Sequence, residues 1–592
     1  MTNKIKLSDY LAKRLKEHCG IKHFFMVSGG GAMHLNDSLG KYIPYIANHH
    51  EQACAIAAEG YARINQKLAV VNVTTGPGGL NCLNGVFGQW TDSVPVLYIS
   101  GQVKRQTTLA HFPDIHLRQL GDQEVDIISV VKPLTKYAVS VTEPEKIKYH
   151  LDKAVYEATT GRFGPVWIDI PIDVQAAMID ENNLKEFQVP EKQSYKFNID
   201  ETVKKINSAK RPLIIAGHGI RLSGQIDNFH KLLDSLKIPV VATFNGFDLI
   251  EDDNPNYAGR IGTVGQRAGN FALQNADLIL CLGTRNNIRQ TSYNWENFAK
   301  NAYKIVVDID NAELNKPTLK PNLAICADLK DFIPSLLDKI NNVERKDWLK
   351  FCVDLKAKYS FEKTKEYENK DSVINPYYFT RKLTQQLSEN DIFVMANGSA
   401  CVCAFQTAKV KKGQRYILNS GNASMGYDLP ASIGAVLEAG KRNVICYAGD
   451  GSIMMNLQEL QTIKHHNLPV KIFVINNGGY SSIRQTQKNF FNGHMTGSGS
   501  DSGVSMPDFK KIAETFGIKS FIIKSAADVE KQIKEILSLQ EPVLCEIIVE
   551  KEYSFIPKLS AKKLPDGTMV SPSLEDMYPF LDRKEFEENT IK

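Results

Sequence analysis

The sequence predicts an α/β protein built of three doubly wound parallel-sheet domains, and three observations carry that reading. The chain is 592 residues long, well beyond what a single hydrophobic core accommodates. Short apolar runs of strand length alternate with apolar residues at helical spacing, the pattern of parallel strands joined by crossover helices. Glycines collect at several strand-to-helix junctions, where a ligand can approach the backbone closely. A formal charge of +5 on a chain of this length excludes a role built on bulk positive charge, so neither nucleic acid nor a membrane is an expected partner. No apolar run reaches membrane-spanning length and Met1 to Tyr10 lacks a signal-peptide core, which predicts a cytoplasmic protein. The ten cysteines are scattered apart from Cys401 and Cys403 and read as reduced thiols.

Residues 1–182 form the first predicted domain. A helix over Leu7–Cys19 precedes a strand, His23–Val27, that runs into Ser28-Gly29-Gly30-Gly31. After the strand Tyr45–Ala47 comes a helix over Asn48–Ile64 with Glu51 in its first turn, and Ala53, Ala55, Ala57 and Ala58 predict close packing along it. A first-turn glutamate ordinarily complements the helix dipole; the other reading is a carboxyl group that exchanges a proton with a ligand. Strand Ala69–Thr74 leads into Thr75-Gly76-Pro77-Gly78-Gly79, which opens a helix over Leu80–Trp90 before the strand Val94–Ser100. Gly164–Pro171 is the last strand, and the charged stretch Asp180–Lys196 reads as a linker.

The second predicted domain, 198–340, has strands at Leu213–Ala216, Val240–Phe244, Leu278–Leu282 and Ile305–Ile309, with a weak dinucleotide-type signal at Gly217-His218-Gly219. The third, 371–550, contains the most informative stretch, Asn443–Gln487. An apolar run breaks at Gly449-Asp450-Gly451-Ser452, a helix follows, and a second apolar run ends at Asn476-Asn477. A parallel pairing of the two strands brings Asp450 and Asn477 to one sheet edge as hard oxygen donors, beside free N–H groups at a helix start. That combination suits a diphosphate neutralised by Mg²⁺. Residues 551–592 read as a C-terminal arm.

Taken in order, HEQACAIAAEGYAR, TTGPGGLN, DSVPVLYISGQV, GRFGPVWIDIP, MGYDLPASIGA and GDGSIMMNLQEL resemble thiamine-diphosphate enzymes of the acetolactate synthase type. The resemblance runs to about residue 550 and implies pyrimidine-binding, central Rossmann-like and diphosphate-binding domains, in a homodimer or homotetramer. It makes thiamine diphosphate and Mg²⁺ the expected cofactors. Glu51 would hold the far nitrogen of the aminopyrimidine, Met425 would support the bent cofactor, and Asp450, Asn477 and the Gly479 carbonyl would hold the metal. Gly30, Gly31, Thr75, Pro77, Asn81, Gly449, Gly451, Ser452, Tyr480 and Ser481 would line the cofactor, with His34 and Gln123 on the substrate side. A flavin is a further possible cofactor. Where the family has Arg-Phe-Asp-Asp-Arg this chain has Arg285-Asn-Asn-Ile-Arg289, and Gly217, Gly262, Gly265, Asp310 and Asp328 complete the candidate FAD region.

The function expected from this resemblance is a carboligase that decarboxylates pyruvate or a related 2-keto acid and passes the two-carbon unit to a carbonyl acceptor. Arg484, Thr486 and Gln487 stand where the family places an apolar acceptor wall, which suggests a polar acceptor such as a keto sugar or nucleotide sugar. Acetolactate synthesis from a second pyruvate, simple 2-keto acid decarboxylation and an acyl-CoA lyase reaction are the alternatives. Glu51 argues against a non-catalytic cofactor-binding protein, because binding the diphosphate does not require that carboxylate.

Overall fold

The computed structural model describes residues 4–591 except 192–193, 342, 370–372, 396 and 564–565; the expected domain boundary at 371 therefore lies outside the described residues. Three six-stranded parallel sheets form the three domains. The first contains β1 (Phe24–Met26), β2 (Tyr45–Ala47), β3 (Ala69–Val73), β4 (Val96–Gln102), β5 (Tyr137–Ser140) and β6 (Val166–Pro171), in spatial order β2-β1-β3-β4-β6-β5. The second contains β7 (Pro212–Ala216), β8 (Val240–Ala242), β9 (Tyr257–Arg260), β10 (Leu278–Leu282), β11 (Tyr303–Asp308) and β12 (Leu323–Cys326), in order β9-β8-β7-β10-β11-β12. The third contains β13 (Ile392–Met395), β14 (Arg415–Ile417), β15 (Val444–Gly449), β16 (Val470–Asn476), β17 (Lys519–Ile523) and β18 (Val543–Ile548), in order β14-β13-β15-β16-β18-β17.

The first and third sheets thus share one strand order, while the second has the order of a dinucleotide-binding domain. The central strands are continuous apolar runs because helices cover both faces, and β3, β4, β15 and β16 are buried along almost their whole length. The strands that the sequence pattern did not reveal, β5, β9, β12, β13, β14, β17 and β18, lie at or next to the sheet edges, and β5 and β12 are only partly buried. The helix expected over Leu80–Trp90 is two helices, Pro77–Asn81 and Leu83–Asp92, joined at Cys82.

The first and third domains pack through equivalent crossover helices, α1 (Glu51–Asn65) and α2 (Asp428–Leu437), each lying between the second and third strands of its sheet. Both carry Ala-x-x-Gly at the crossing. A Cβ on Gly60 would stand 2.1 Å from the Ala431 carbonyl oxygen, and a Cβ on Gly434 would stand 1.8 Å from the Ala57 carbonyl oxygen. The contact is therefore reciprocal and backbone to backbone, which only glycine permits. Buried charges join all three domains nearby. Arg63 donates to Glu59 (2.9 Å) and Asp92 (2.7 Å), Arg415 donates to the Arg63 carbonyl (3.2 Å) and pairs with Asp248, and Asp248 also pairs with Arg221 (3.1 Å).

The C-terminal arm leaves β18 along the end of β16, then crosses to the central domain. There Asn270 and Asn275 donate to the carbonyls of Leu574 and Asn589, 3.0 and 2.8 Å away. No described helix is long and apolar enough to cross a membrane.

Candidate active site

In an open parallel sheet, ligands bind beyond the carboxyl ends of the strands where the strand order reverses. That point lies between β1 and β3 in the first domain, β13 and β15 in the third, and β7 and β10 in the central one. Many of the residues singled out in the sequence lie at the strand ends beside these three places.

In the first domain, β1 feeds the Gly30–Ala32 turn and β3 feeds Thr75-Gly76-Pro77. The Gly31 amide donates to Thr74 Oγ1 (3.1 Å), and a Cβ on Gly31 would fall 1.9 Å from Thr75 Oγ1, so the two turns interlock. Gly76 takes φ of +62°, and a Cβ there would meet the Gln123 carbonyl at 2.1 Å. Gln123 is exposed and itself left-handed at φ +62°. Glu51 is half-buried at the first position of α1, where His50 Nδ1 accepts from the Gln52 amide. Asn81 Nδ2 donates to Glu51 Oε2 at 2.9 Å, and Glu51 Oε1 faces Gly78. A carboxylate is thereby held over a glycine floor that admits a flat ring. His34 is half-buried in the first turn of the helix Met33–Tyr42 beside it.

In the third domain, β15 ends at Gly449 and Asp450 begins a short helix. Asp450 is 2% exposed, and its oxygens accept from the amides of Gly451 (2.7 Å), Asn477 (3.1 Å) and Gly479 (2.9 Å). Burial pushes its carboxyl up to about 6, against the pull of those amides. A buried acid held by N–H dipoles alone is what a divalent cation would relieve. Asn477 is buried beside it, and Gly479 takes φ of +135°, where a Cβ would also lie 2.5 Å from the Ser498 carbonyl oxygen. A Cβ on Gly451 would strike the Tyr480 ring at 2.3 Å, and Ser481 starts the helix Ser481–Phe490 with its side chain buried. The donor set and the glycine cradle fit Mg²⁺ with a diphosphate. Half-buried Met425 reaches the same place, because the Gly426 amide donates to Ser452 Oγ (2.9 Å).

Ser452 Oγ donates to Asp428 at 2.6 Å, and burial pushes that carboxyl up to about 6. Arg484, expected in the acceptor pocket, is engaged by the neighbouring loops. Its guanidinium donates to the carbonyls of Asn477 (2.9 Å), Gly478 (3.3 Å) and Ser498 (3.2 Å), clamping the loop that follows β16. Thr486 is exposed and donates to the Ser482 carbonyl, while Gln487 bridges Thr496 and Ser498.

A cavity of about 370 Å³ lies at the reversal point of the central domain, with Asp92 and Arg162 of the first domain and Ser420 of the third also lining it. Arg285, Arg289 and Asp328 line it, whereas Gly217 packs on Gly283 and Gly262 and Gly265 shape a turn behind it. Asp310 instead pairs with Arg162 (2.8 Å), one of the lining residues. Two further lining residues, Asp92 from the first domain and His218, each keep a buried polar atom without a hydrogen-bond partner, Oδ1 and Nδ1. A ligand that bears both hydroxyls and anionic groups would satisfy them and the arginines. Asp92 opens the DSVPVLYISGQV stretch, so a sequence signal for it existed; His218 stands in the expected Gly-x-Gly.

Three family models match the chain: the thiamine pyrophosphate enzyme N-terminal TPP binding domain over residues 5–129, the central domain over 199–336 and the C-terminal TPP binding domain over 396–547. The acetolactate synthase large subunit of Lactococcus lactis subsp. lactis is 33% identical over 563 residues, covering 94% of each chain. The probable acetolactate synthase large subunit of Methanocaldococcus jannaschii is 32% identical, with 92% of each chain covered. The acetolactate synthase isozyme 2 large subunit of Escherichia coli is 30% identical, covering 94% of this chain and 97% of its own. With the domain order, both half-sites and end-to-end similarity in agreement, the chain belongs to the acetolactate synthase-like family of thiamine-diphosphate-dependent enzymes.

Proposed function

We propose that this protein makes acetolactate, decarboxylating one pyruvate and joining its two-carbon unit to the carbonyl of a second, with one CO₂ released per product. The observation that carries the reading is similarity along nearly the full length to relatives named acetolactate synthase. A keto-sugar acceptor loses its main support, because Arg484 is consumed by loop carbonyls and Thr486 is exposed and donates to the Ser482 carbonyl. Thiamine diphosphate, when bound, supplies the acidic C–H and the electron sink. Glu51 would hold the proton on the aminopyrimidine, Asp450, Asn477 and the Gly479 carbonyl would hold Mg²⁺ on the diphosphate, and Met425 would bend the cofactor between them. Gln123 and His34 would orient the substrates.

A homodimer is part of the same reading. Exposed apolar side chains flank both half-sites, Met33, Leu80, Phe87 and Trp90 on one and Met454, Met455 and Ile483 on the other, and a second copy would cover them. FAD is the ligand that best fits the central cavity, and a cytoplasmic location accompanies the rest.

The test is incubation with labelled pyruvate, thiamine diphosphate and Mg²⁺. Equal amounts of CO₂ and acetolactate support the reading. CO₂ release that appears only when a keto sugar is added, with the label in a sugar adduct, would replace it. Flavin released on denaturing the purified protein supports the FAD site; a colourless, active enzyme removes it.

A further inference from the structure

The metal loop contains a contact that neither the family motifs nor the substrate reading uses. After β18 the chain runs back along β16, with the Val549 amide donating to the Asn476 carbonyl at 3.1 Å, and this places Tyr553 beneath the loop. Tyr553 is 9% exposed and Asn477 3% exposed. Asn477 Nδ2 donates to the Tyr553 hydroxyl oxygen at 3.2 Å, and the Tyr553 hydroxyl in turn donates to Ser399 Oγ, at the first position of the helix that follows β13.

An asparagine can serve a hard cation only through its oxygen, and its two terminal atoms are interchangeable by a half-turn of the amide. Here both ends are identified by their neighbours. Arg484, which has only donors, places Nη2 3.4 Å from Asn477 Oδ1, so that atom is the oxygen. The Tyr553 hydroxyl has already given its proton to Ser399, so it presents a lone pair and can face only the NH₂ end.

We propose that Tyr553 is a positioning residue for the metal: by accepting from Asn477 Nδ2 it fixes the amide with its oxygen toward the cation. This rests on the Mg²⁺ reading of the site. Ser399, Tyr553 and Asn477 then form a relay that joins the ends of β13 and β16 through the C-terminal arm, so that the arm completes the metal centre. Loss of such an outer partner typically weakens metal binding about 10–100-fold.

The experiment measures Mn²⁺ affinity by electron paramagnetic resonance on the full chain with thiamine diphosphate present. Tyr553→Phe keeps the ring and removes the lone pair, and should weaken Mn²⁺ by about tenfold or more. The decisive arm repeats the change in an Asn477→Asp background. Aspartate offers an oxygen on either branch and needs no orienting, so there Tyr553→Phe should cost less than about threefold. An equal loss in both backgrounds assigns the hydroxyl a merely structural part and overturns the proposal, as does undiminished affinity in Tyr553→Phe alone. Wild-type protein that holds no Mn²⁺ would instead refute the metal reading itself.

Discussion

The first and third domains have the same strand order and meet through equivalent helices, yet in the proposed function they carry opposite halves of the chemistry. Glu51 and Met425 each stand six residues ahead of the alanine at the helix crossing, Ala57 and Ala431. One position holds a carboxyl group and the other a thioether. The sixth strands show the same relation. Asp169 and Glu546 are each the fourth residue of their strand, both buried, and both hold the fourth strand of their sheet, Asp169 through Ser100 (2.6 Å) and Glu546 through Asn476 (2.7 Å). The shared frame brings two sites to corresponding places, and the side chains at strand ends decide what each contributes. In the proposed function the first domain would supply an acid to the cofactor, and the third a cation site and a prop.

That division is open to test by substitutions whose effects should differ in kind. Asp450→Ala should cause the largest loss of binding: retention of thiamine diphosphate and Mg²⁺ should fall by at least about a hundredfold in equilibrium dialysis, since two further donors cannot hold the metal alone. Retention close to wild type would place the metal elsewhere. Gly60→Ala and Gly434→Ala should each lower thermal stability by several degrees, because the obstacle is a backbone oxygen that cannot move aside; overpacking costs about 1–3 kcal/mol. The two variants should resemble one another in calorimetry, and a large effect from only one would break the reciprocity of the crossing.

Asp169 gives a smaller, pH-dependent effect. Burial pushes its carboxyl up to about 7, so the folded chain keeps a proton that the unfolded chain releases near pH 4. Stability from this group is fully present below about pH 4 and declines as pH rises toward about 7. Asp169→Asn, neutral and of equal size, should remove that decline, so its melting temperature should gain on wild type between pH 5 and pH 7.5. No gain in that window would mean that Asp169 is ionised in the folded state.

Much of this arrangement was legible in the sequence. The GDG and NN pieces predicted the Asp450–Asn477 pairing because the strands ahead of them are long, buried and continuous, and parallel register does the rest. Glu51 was legible from its alanine-rich helix, whose small side chains mark the close crossing. Edge strands such as β5 and β12 were not, because partial burial dilutes the apolar pattern. The engagement of Arg484 by loop carbonyls was not legible, since a side chain's direction depends on which loop covers it, here the segment around Ser498. Tyr553 carried no signal, being 76 residues from the asparagine it touches.

The proposed function divides the labour, with binding in the third domain and activation in the first. Glu51→Gln probes it directly by comparing thiamine diphosphate affinity with the rate of hydrogen–deuterium exchange at the cofactor's thiazolium carbon, followed by quenched-flow NMR. The account predicts affinity within a few-fold of wild type and exchange slower by about a hundredfold or more, the order lost with a positioned acid–base group. Exchange at the wild-type rate, or loss of exchange and affinity together, would contradict it.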